Sequence, residues 1–439
     1  MIKPKDFAEV SESFSLSEAI KEAQRCLNCK VPGCKKGCPI GNDIPEWIAE
    51  LAMGNFGNAM TIINNRSNLP AVCGRVCGHE RQCEGNCIRG KKDTAVQIGK
   101  LERFVADFDA EAGWRHDNIP EKNRGKVAVI GSGPAGLTIA GDLSRQGFYV
   151  EIFEMEPEAG GVLMFGIPQY RLPKEVVNRE IKKIENLGVK INLNTTIGKD
   201  YTIDDLFRQG FDAIFMGTGT GVPKRLAIPG IDHKGVRQGI RFLRRVGLYE
   251  NGYISRKEVV IREGDKVAVI GCGNTAMDAA RTSLRMGASE VTVIYHRDIE
   301  KMAALRAEYD DAVKEGVKFL WNSSVINIDG REDNEFKLNS ITVSTPEGEI
   351  VKPVDNVILA VGSVPASRIV STTDGIEVDE KGYVVTRENP YGMTTRKGVF
   401  AGGDVSGSQA TVVHAMQNAK AVAESIAKYV DAVKLMEII

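Results

Sequence analysis

The apolar positions of this chain follow two rhythms. Short unbroken runs read as buried strands of a parallel sheet, and runs spaced by three and four residues read as helices. Val127, Ala128, Val129 and Ile130 form one such strand, a helical pattern through Leu137, Ile139, Ala140 and Leu143 follows, and Tyr149 to Phe153 forms a second strand. The same order returns with Lys266-Val267-Ala268-Val269-Ile270, a helix through Ala279, Ala280 and Leu284, and a strand from Val291 to Tyr295. Two more apolar runs, Phe211 to Gly221 and Val357 to Gly362, end in small residues. Upstream the pattern is helical: Ala19, Ile20 and Ala23, then Ile44 to Ile63, then Thr94 to Phe108. A last helix runs through Ala427. Polar residues 115–125 (RHDNIPEKNRG) read as a linker.

These patterns predict an α/β protein: two nested Rossmann-like nucleotide-binding domains of the FAD/NAD(P)-disulfide-reductase type, preceded by an α-helical domain. The expected divisions are 1–124, 125–228, 229–364 and 365–439, the second nucleotide domain being inserted into the first. A length of 439 residues allows about three domains.

Each repeated unit carries a glycine turn where chemistry is expected. The first is Gly131-Ser132-Gly133-Pro134-Ala135-Gly136. Gly131 permits the tight turn, Gly133 lets a pyrophosphate approach the backbone, and Gly136 lets helix and strand pack closely. Glu154, at the tip of the second strand, is placed to accept a hydrogen bond from a ribose hydroxyl. The second turn is Gly271-Cys272-Gly273-Asn274-Thr275-Ala276. Its following strand ends in Tyr295-His296-Arg297-Asp298, with an arginine where an acid would bind a free 2′-hydroxyl. That suits a 2′-phosphate and favours NADP, while the neighbouring Asp298 leaves NAD as an alternative. Further on, Gly402-Gly403-Asp404 offers a carboxylate for a polyol, and a helix N-terminus near Thr411 offers a site for negative charge. Two dinucleotide units in one chain imply a resident carrier, FAD, and an exchangeable nicotinamide donor.

Composition narrows the class. Hydrophobic content of 42% and charged content of 26% are those of a globular protein, and a net charge of −1 provides no field for nucleic acid or an anionic membrane. No apolar run is long enough to span a bilayer, and MIKPKDFAEV lacks a signal-peptide core, so the expected compartment is the cytoplasm. Eight of the nine cysteines lie between Cys26 and Cys87, as Cys26-x2-Cys29-x4-Cys34-x3-Cys38-Pro39 and Cys73-x3-Cys77-x5-Cys83-x3-Cys87. Dense cysteines in a cytosolic chain argue for metal before disulfides. Zinc normally takes two C-x2-C pairs, and only Cys26/Cys29 is one; the run ending in Cys-Pro is closer to a ferredoxin pattern. Two [4Fe–4S] clusters are therefore expected. Cys272 stands alone, so the nicotinamide domain has no C-x-x-C for thioredoxin-type chemistry.

Taken together, RCLNCKVPGCKKGCPIGNDIPEWI (25–48), CGRVCGHERQCEGNC (73–87), QIGKLERF (97–104), GSGPAGL (131–137), GGVLMFGIPQYRLP (160–173), GCGNTAMD (271–278) and FAGGDV (400–405) resemble one family over nearly the whole chain. It is the glutamate synthase small (β) subunit family, which includes the large subunit of NADH-dependent ferredoxin:NADP oxidoreductase and the N-terminal part of dihydropyrimidine dehydrogenase. The resemblance implies one cluster on Cys26, Cys29, Cys34 and Cys87. It implies a second on Cys38, Cys77, Cys83 and Glu102, leaving Cys73 spare; Cys73 as eighth ligand is the alternative. It implies FAD contacts from Val76, Gly131, Gly133, Ala135, Gly136, Glu154, Gly161, Arg171, Gly403, Asp404 and Thr411. NADPH contacts would come from Gly273, Asn274, Thr275, His296, Arg297 and the strand end at Ala360 to Gly362. The sequence departs from the family in having His296 where a second basic residue is usual, and Met302-Ala303 where Met-Pro is common.

The implied function is an electron-input subunit. It would oxidise NADPH, or NADH, at FAD and pass single electrons through two [4Fe–4S] clusters to a partner. That partner would be a large catalytic subunit of the glutamate synthase α type, or a small flavoprotein or ferredoxin. No side-chain acid, base or nucleophile is required. No glutaminase or FMN-barrel segment is visible, so the final substrate is expected to be reduced elsewhere. The alternatives are an electron-bifurcating transhydrogenase subunit and an iron–sulfur scaffold with a vestigial nucleotide fold.

Overall fold

The computed structural model describes residues 6–113, 119–331 and 336–438. The beginning of the expected 115–125 linker lies outside them. The chain forms two compact units: one of Val10–Met164, Arg171–Thr220 and Val364–Ile439, the other of Met1–Glu9, Phe165–Tyr170 and Gly221–Ser363.

The larger unit holds a seven-stranded sheet in the order Thr386–Glu388, Tyr391–Thr394, Val399–Ala401, Ala213–Met216, Gly125–Ile130, Phe148–Phe153, Lys190–Asn192. The central pairings are parallel, with Ile130 opposite Phe153 on one side and Met216 on the other. Val399–Ala401 pairs in parallel with Ala213–Met216, so chain that left the sheet near residue 216 rejoins it beside the same strand. That is the nesting expected from the repeated pattern. Ala128, Ile130, Ile214 and Met216 are buried together with Val399 and Ala401.

The smaller unit repeats the idea. Its five strands run Val236–Gln238, Asn356–Leu359, Lys266–Ile270, Glu290–Ile294, Lys318–Leu320, all parallel. An antiparallel sheet of Ser324–Gly330, Leu338–Thr345 and Gly348–Pro353 accompanies them. A buried ionic group braces this unit: Arg285 donates to both carboxylate oxygens of Glu315 (2.6 and 2.9 Å), Arg281 donates to Glu308 and Glu315, and both guanidiniums lie over the Tyr170 ring.

The first hundred residues are helical, with different boundaries from those the periodicity suggests. Ile44 to Ile63 is two helices, Ile44–Ala52 and Phe56–Asn64. Gly54, at φ +82°, supplies the left-handed turn between them. The helix expected from Thr94 begins at Ile98 and continues to Ala112, where Gly113 at φ +68° ends it. Its start is set by carboxylates from elsewhere: Glu22 accepts from the Gln97 N–H and Glu84 from the Gly99 N–H, each at 2.9 Å. The last helix likewise outruns its expected end, covering Val412–Ile438. Val162–Phe165 is a single helical turn.

Candidate metal and nucleotide sites

The first glycine loop shows what each glycine is for. Gly131 has φ +93°, and a side chain there would meet the Gly217 carbonyl oxygen at 2.8 Å. A Cβ on Gly136 would lie 1.9 Å from the Gly131 carbonyl oxygen, so only hydrogen fits. Gly133 is different: it is extended, it caps the Pro134–Arg145 helix, and nothing lies within 4 Å of where its Cβ would be. The open space sits at the helix N-terminus, where an anion is favoured. A Cβ on Gly161, at φ +53°, would lie 3.0 Å from the Gly133 backbone, and one on Gly403 would lie 3.0 Å from the Ala135 side chain. Gly131, Gly133, Ala135, Gly136, Gly161 and Gly403 thus converge on one cradle.

Glu154 has more to do here than its strand-tip position suggests. One carboxylate oxygen accepts from the Ser132 N–H (2.9 Å) and hydroxyl (2.5 Å), and the other accepts from the Glu156 N–H (2.9 Å). The residue therefore holds the loop shut from within, while its remaining lone pairs still allow a ribose hydroxyl to donate. Asp404 follows Gly403, whose N–H donates to Asn418 Oδ1 at 2.8 Å. Its carboxyl is pushed up to about 6 by burial, and Oδ1 is buried with no hydrogen-bond partner. Such an orphaned acceptor fits a hydroxyl-bearing ligand. Thr411 Oγ1 lies 2.6 Å from His414 Nδ1 at the start of the last helix. Arg171 is half-buried, and Val76 ends the Pro70–Val76 helix.

The second loop repeats this division of labour. Gly271 has φ +121°, and a Cβ there would lie 2.3 Å from the Ala360 carbonyl oxygen. Gly273 again has nothing within 4 Å and caps the Asn274–Arg285 helix. At the third position Ala276 is fully buried, so this turn leaves space for a methyl group where the first does not. Asn274 Oδ1 accepts from the Leu305 N–H at 2.9 Å, and the Ala303 and Ala304 N–H groups donate to the Cys272 carbonyl. A proline at 303 could not make the first of these bonds to Cys272. Thr275, His296, Arg297 and Gly362 are exposed. Asp298 accepts from the Lys301 N–H at 3.0 Å through one carboxylate oxygen and caps the turn Ile299–Lys301.

All nine cysteines are free thiols. Cys26, Cys29, Cys34 and Cys87 line one cavity, with Leu27 and Ile88 at its edge. Two glycines bring the separate runs together. A Cβ on Gly33 would meet the Asn86 carbonyl oxygen at 2.4 Å, and one on Gly37 would meet Asn86 Nδ2 at 2.5 Å. Asn28, between the first two cysteines, takes φ +45°, a left-handed conformation that asparagine tolerates. Burial raises the Cys26 thiol and pushes that of Cys34 up to about 11, so thiolates in this cavity call for a compensating cation.

The other cysteines gather around Glu102. Burial, then Glu180, pushes its carboxyl up to about 8, and Oε1 has no hydrogen-bond partner. The Cys38 thiol is pushed up to about 11 by burial, with the Glu102 charge adding to it. Cys83 is raised by burial and then by Glu84 and Glu102. Cys77 is raised first by its hydrogen bond with Cys73, then by burial, with Glu102 adding to both. Close helix contact makes this possible: a Cβ on Gly74 would lie 2.5 Å from the Arg103 nitrogen. Among the described residues no three His, Cys, Asp or Glu side chains are drawn together as ligands of a metal ion. A [4Fe–4S] cluster takes its four ligands on separate iron atoms, and an unpaired buried carboxyl beside the thiols of Cys38, Cys77 and Cys83 suits it chemically. Sequence reasoning missed Glu22, Glu84, Gly74 and Gly99, which set the position of the Glu102 helix. The glycines inside otherwise helical patterns were the available signal.

Comparison with known proteins assigns each part of the chain to a family. Residues 3–114 match the family described as dihydropyrimidine dehydrogenase domain II, 4Fe-4S cluster, and residues 125–419 match the pyridine nucleotide-disulphide oxidoreductase family. The chain is 36% identical to the glutamate synthase [NADPH] small chain of Escherichia coli K12, over 98% of this chain and 95% of that one. It is 33% identical to the NAD-dependent dihydropyrimidine dehydrogenase subunit PreT of the same organism, over 96% of this chain and 97% of that one. Among solved structures it resembles Lactococcus lactis thioredoxin reductase, with a TM-score of 0.54, 25% identity, and coverage of 70% of this chain and 99% of that one. No helix among the described residues is long and apolar enough to cross a membrane. With an iron–sulfur domain joined to an FAD- and NAD(P)H-binding fold, the chain belongs to the glutamate synthase small-chain family of electron-transferring oxidoreductase subunits.

Proposed function

We propose that this protein is a cytoplasmic electron-input subunit that oxidises NADPH and delivers single electrons through two [4Fe–4S] clusters to a large amidotransferase-type partner. The observation that carries the reading is the Glu102 carboxylate, buried and without a partner at Oε1 beside Cys38, Cys77 and Cys83. A second four-ligand set exists only if that carboxylate is a ligand or Cys73 replaces it. When bound, FAD supplies the exchange between hydride and single-electron chemistry, and the clusters supply single-electron storage.

The chain's own residues bind and orient these groups. Cys26, Cys29, Cys34 and Cys87 would hold one cluster, and Cys38, Cys77, Cys83 and Glu102 the other. The open backbone at Gly133 would receive the FAD pyrophosphate, with Asp404 accepting from a hydroxyl of the sugar chain. Gly273 would receive the nicotinamide dinucleotide in the same way. NADPH is preferred over NADH because the strand tip presents two basic side chains beside a single acid, Asp298, one of whose carboxylate oxygens caps the Ile299–Lys301 turn. His296 and Arg297 are left exposed for a 2′-phosphate. Eight cysteines between Cys26 and Cys87, read as a cluster-binding set rather than as disulfides, fit a reducing compartment.

The test is to replace Arg297 with alanine in iron-replete protein and follow flavin bleaching anaerobically. NADPH affinity should fall by about 10-fold or more, the value of one charge-assisted contact, with NADH affinity unchanged. Equal loss for both nucleotides would defeat the NADPH assignment. Absence of flavin and iron from folded protein would defeat the whole reading.

A further inference from the structure

The two cysteine sets differ in how they meet the outside. The second faces inward: Cys83 is buried, and Cys73, one helical turn before Cys77, has its sulfur 3.6 Å from Met416 on the long last helix. The cavity lined by Cys26, Cys29, Cys34 and Cys87 lies instead beneath exposed apolar side chains. Leu27 is 58% exposed, Val31 70% and Ile88 52%. Single exposed apolar residues are ordinary, but three on the two segments that bring these cysteines together make a patch. The charge around it is one-sided. Residues 25–31 and 87–92 hold five basic side chains and no acid, in a chain whose net charge is −1. Arg25 and Arg89 are engaged by Asp93, at 3.4 and 3.0 Å. Lys30, Lys91 and Lys92 are exposed and form no ion pair among the described residues. Residues 88–91 form a 3-10 turn, where side chains three apart eclipse, so Lys91 stands on the same side as Ile88. Glu46, exposed and next in sequence to the cavity-lining Pro45, is a single opposing acid.

We propose that Leu27, Val31 and Ile88, rimmed by Lys30, Lys91 and Lys92, are the docking surface for an electron-accepting protein that presents a carboxylate-rich face around its own one-electron acceptor. This rests on reading the cavity beneath as a cluster site. An apolar centre with a charged rim is the make-up of a protein-binding surface. Lysines without carboxylate partners give the rim a positive field, which speeds encounter with an acidic face and rejects a basic one. Leu27 and Ile88 both line the cavity and reach its outside, so a partner that covers them lies against the cluster site itself. The step carried across the surface is one electron, lost by the reduced cluster and gained by the partner's acceptor, with no bond made or broken. The inward set of Cys38, Cys77 and Cys83 has no comparable opening: its neighbouring sulfur is closed over by the last helix.

The experiment measures binding of an acidic ferredoxin to the reconstituted full chain by calorimetry, with basic cytochrome c as the opposite charge. Wild type is compared with Val31→Asp, with the double variant Lys91→Glu/Lys92→Glu, and with Lys91→Arg/Lys92→Arg, which keeps the charge. Ferredoxin affinity should fall about tenfold or more in the double glutamate variant and in Val31→Asp, and should hold in the arginine variant. Raising salt from about 50 mM to about 500 mM should weaken wild-type binding by a similar factor, because exposed charges are screened. NADPH-driven ferredoxin reduction should fall with the binding, while flavin bleaching by NADPH and the iron and sulfide counts stay at wild-type values. Binding that ignores salt and the glutamate variant, or wild-type protein that prefers cytochrome c, would overturn the proposal. Self-association of the chain, or binding to anionic phosphatidylserine vesicles, that is lost in the same variants would give the patch another occupant and overturn it equally. A short iron count in wild-type protein would defeat the cluster reading by itself, and the calorimetry would still decide the docking surface.

Discussion

Replacing Gly273 with alanine should separate nucleotide binding from folding more cleanly than any other change in the chain. The residue is extended (φ −99°), so an alanine adopts its backbone without strain, and nothing lies within 4 Å of the new methyl group. Stability should therefore change by no more than about 0.5 kcal/mol, as for an unconstrained surface position. The methyl would, however, occupy the space that a pyrophosphate needs to reach the helix N-terminus. Losing one backbone hydrogen bond to a charged phosphate costs about 1.5–3 kcal/mol, or about 10- to 150-fold in affinity. The assay is flavin bleaching at increasing NADPH, alongside a thermal melt and an FAD count. The first loop supplies the contrast: a Cβ on Gly136 collides with backbone at 1.9 Å, so Gly136→Ala should lower the melting temperature and lose FAD. Wild-type NADPH affinity in Gly273→Ala, or a melt depressed as far as that of Gly136→Ala, would refute this account of the loops.

Other outcomes follow from the buried charges. Glu102→Ala should lose one cluster's worth of iron and sulfide while the EPR signal of the other persists. Glu315→Gln should cost about 3–5 kcal/mol in denaturant unfolding, because Arg285 loses the carboxylate that both its terminal nitrogens contact, whereas Arg281 keeps Glu308. Glu308→Gln should cost less. The Asp404 carboxyl, raised from 3.8 to about 6 by burial, holds its proton more tightly in the folded chain than in the unfolded one. Flavin-free protein should accordingly be most stable below pH 3.8 in this respect and lose up to about 3 kcal/mol as pH rises through 6. Bound FAD reverses the preference, since a hydroxyl donor wants the ionised acid. FAD should dissociate more readily as pH falls below about 6, and Asp404→Asn should flatten that dependence.

The sequence is most readable where one physical demand fixes one residue type. Gly131 and Gly136 are required by a positive φ and a backbone collision, so their spacing by itself marks the loop. Apolar runs such as Val127 to Ile130 become central parallel strands because such strands are buried on both faces. Boundaries are less readable where distant side chains decide them. Nothing local to Thr94 says that Glu22 and Glu84 will cap the helix three and five residues later, at Gln97 and Gly99. The roles of Glu154 and Asp298 are hidden for a related reason. An acid at a strand tip can receive a ribose, lock a loop or cap a turn, and only the hydrogen-bond partners distinguish these. Gly33, Gly37 and Gly74 pass as ordinary glycines until the neighbouring chain is seen against them. The family resemblance supplies the pairing of cysteines across some fifty residues, which spacing alone leaves open.

In the proposed function, hydride equivalents entering at the second glycine loop leave as single electrons through two iron–sulfur clusters. Its most direct measurement is an anaerobic titration of reconstituted protein with NADPH, followed by visible absorbance and EPR on the same samples. The expected result is loss of the flavin band with the first equivalents, followed by signals from two distinct reduced clusters when a low-potential donor completes the titration. Flavin that bleaches in a protein whose EPR shows one cluster or none would contradict it.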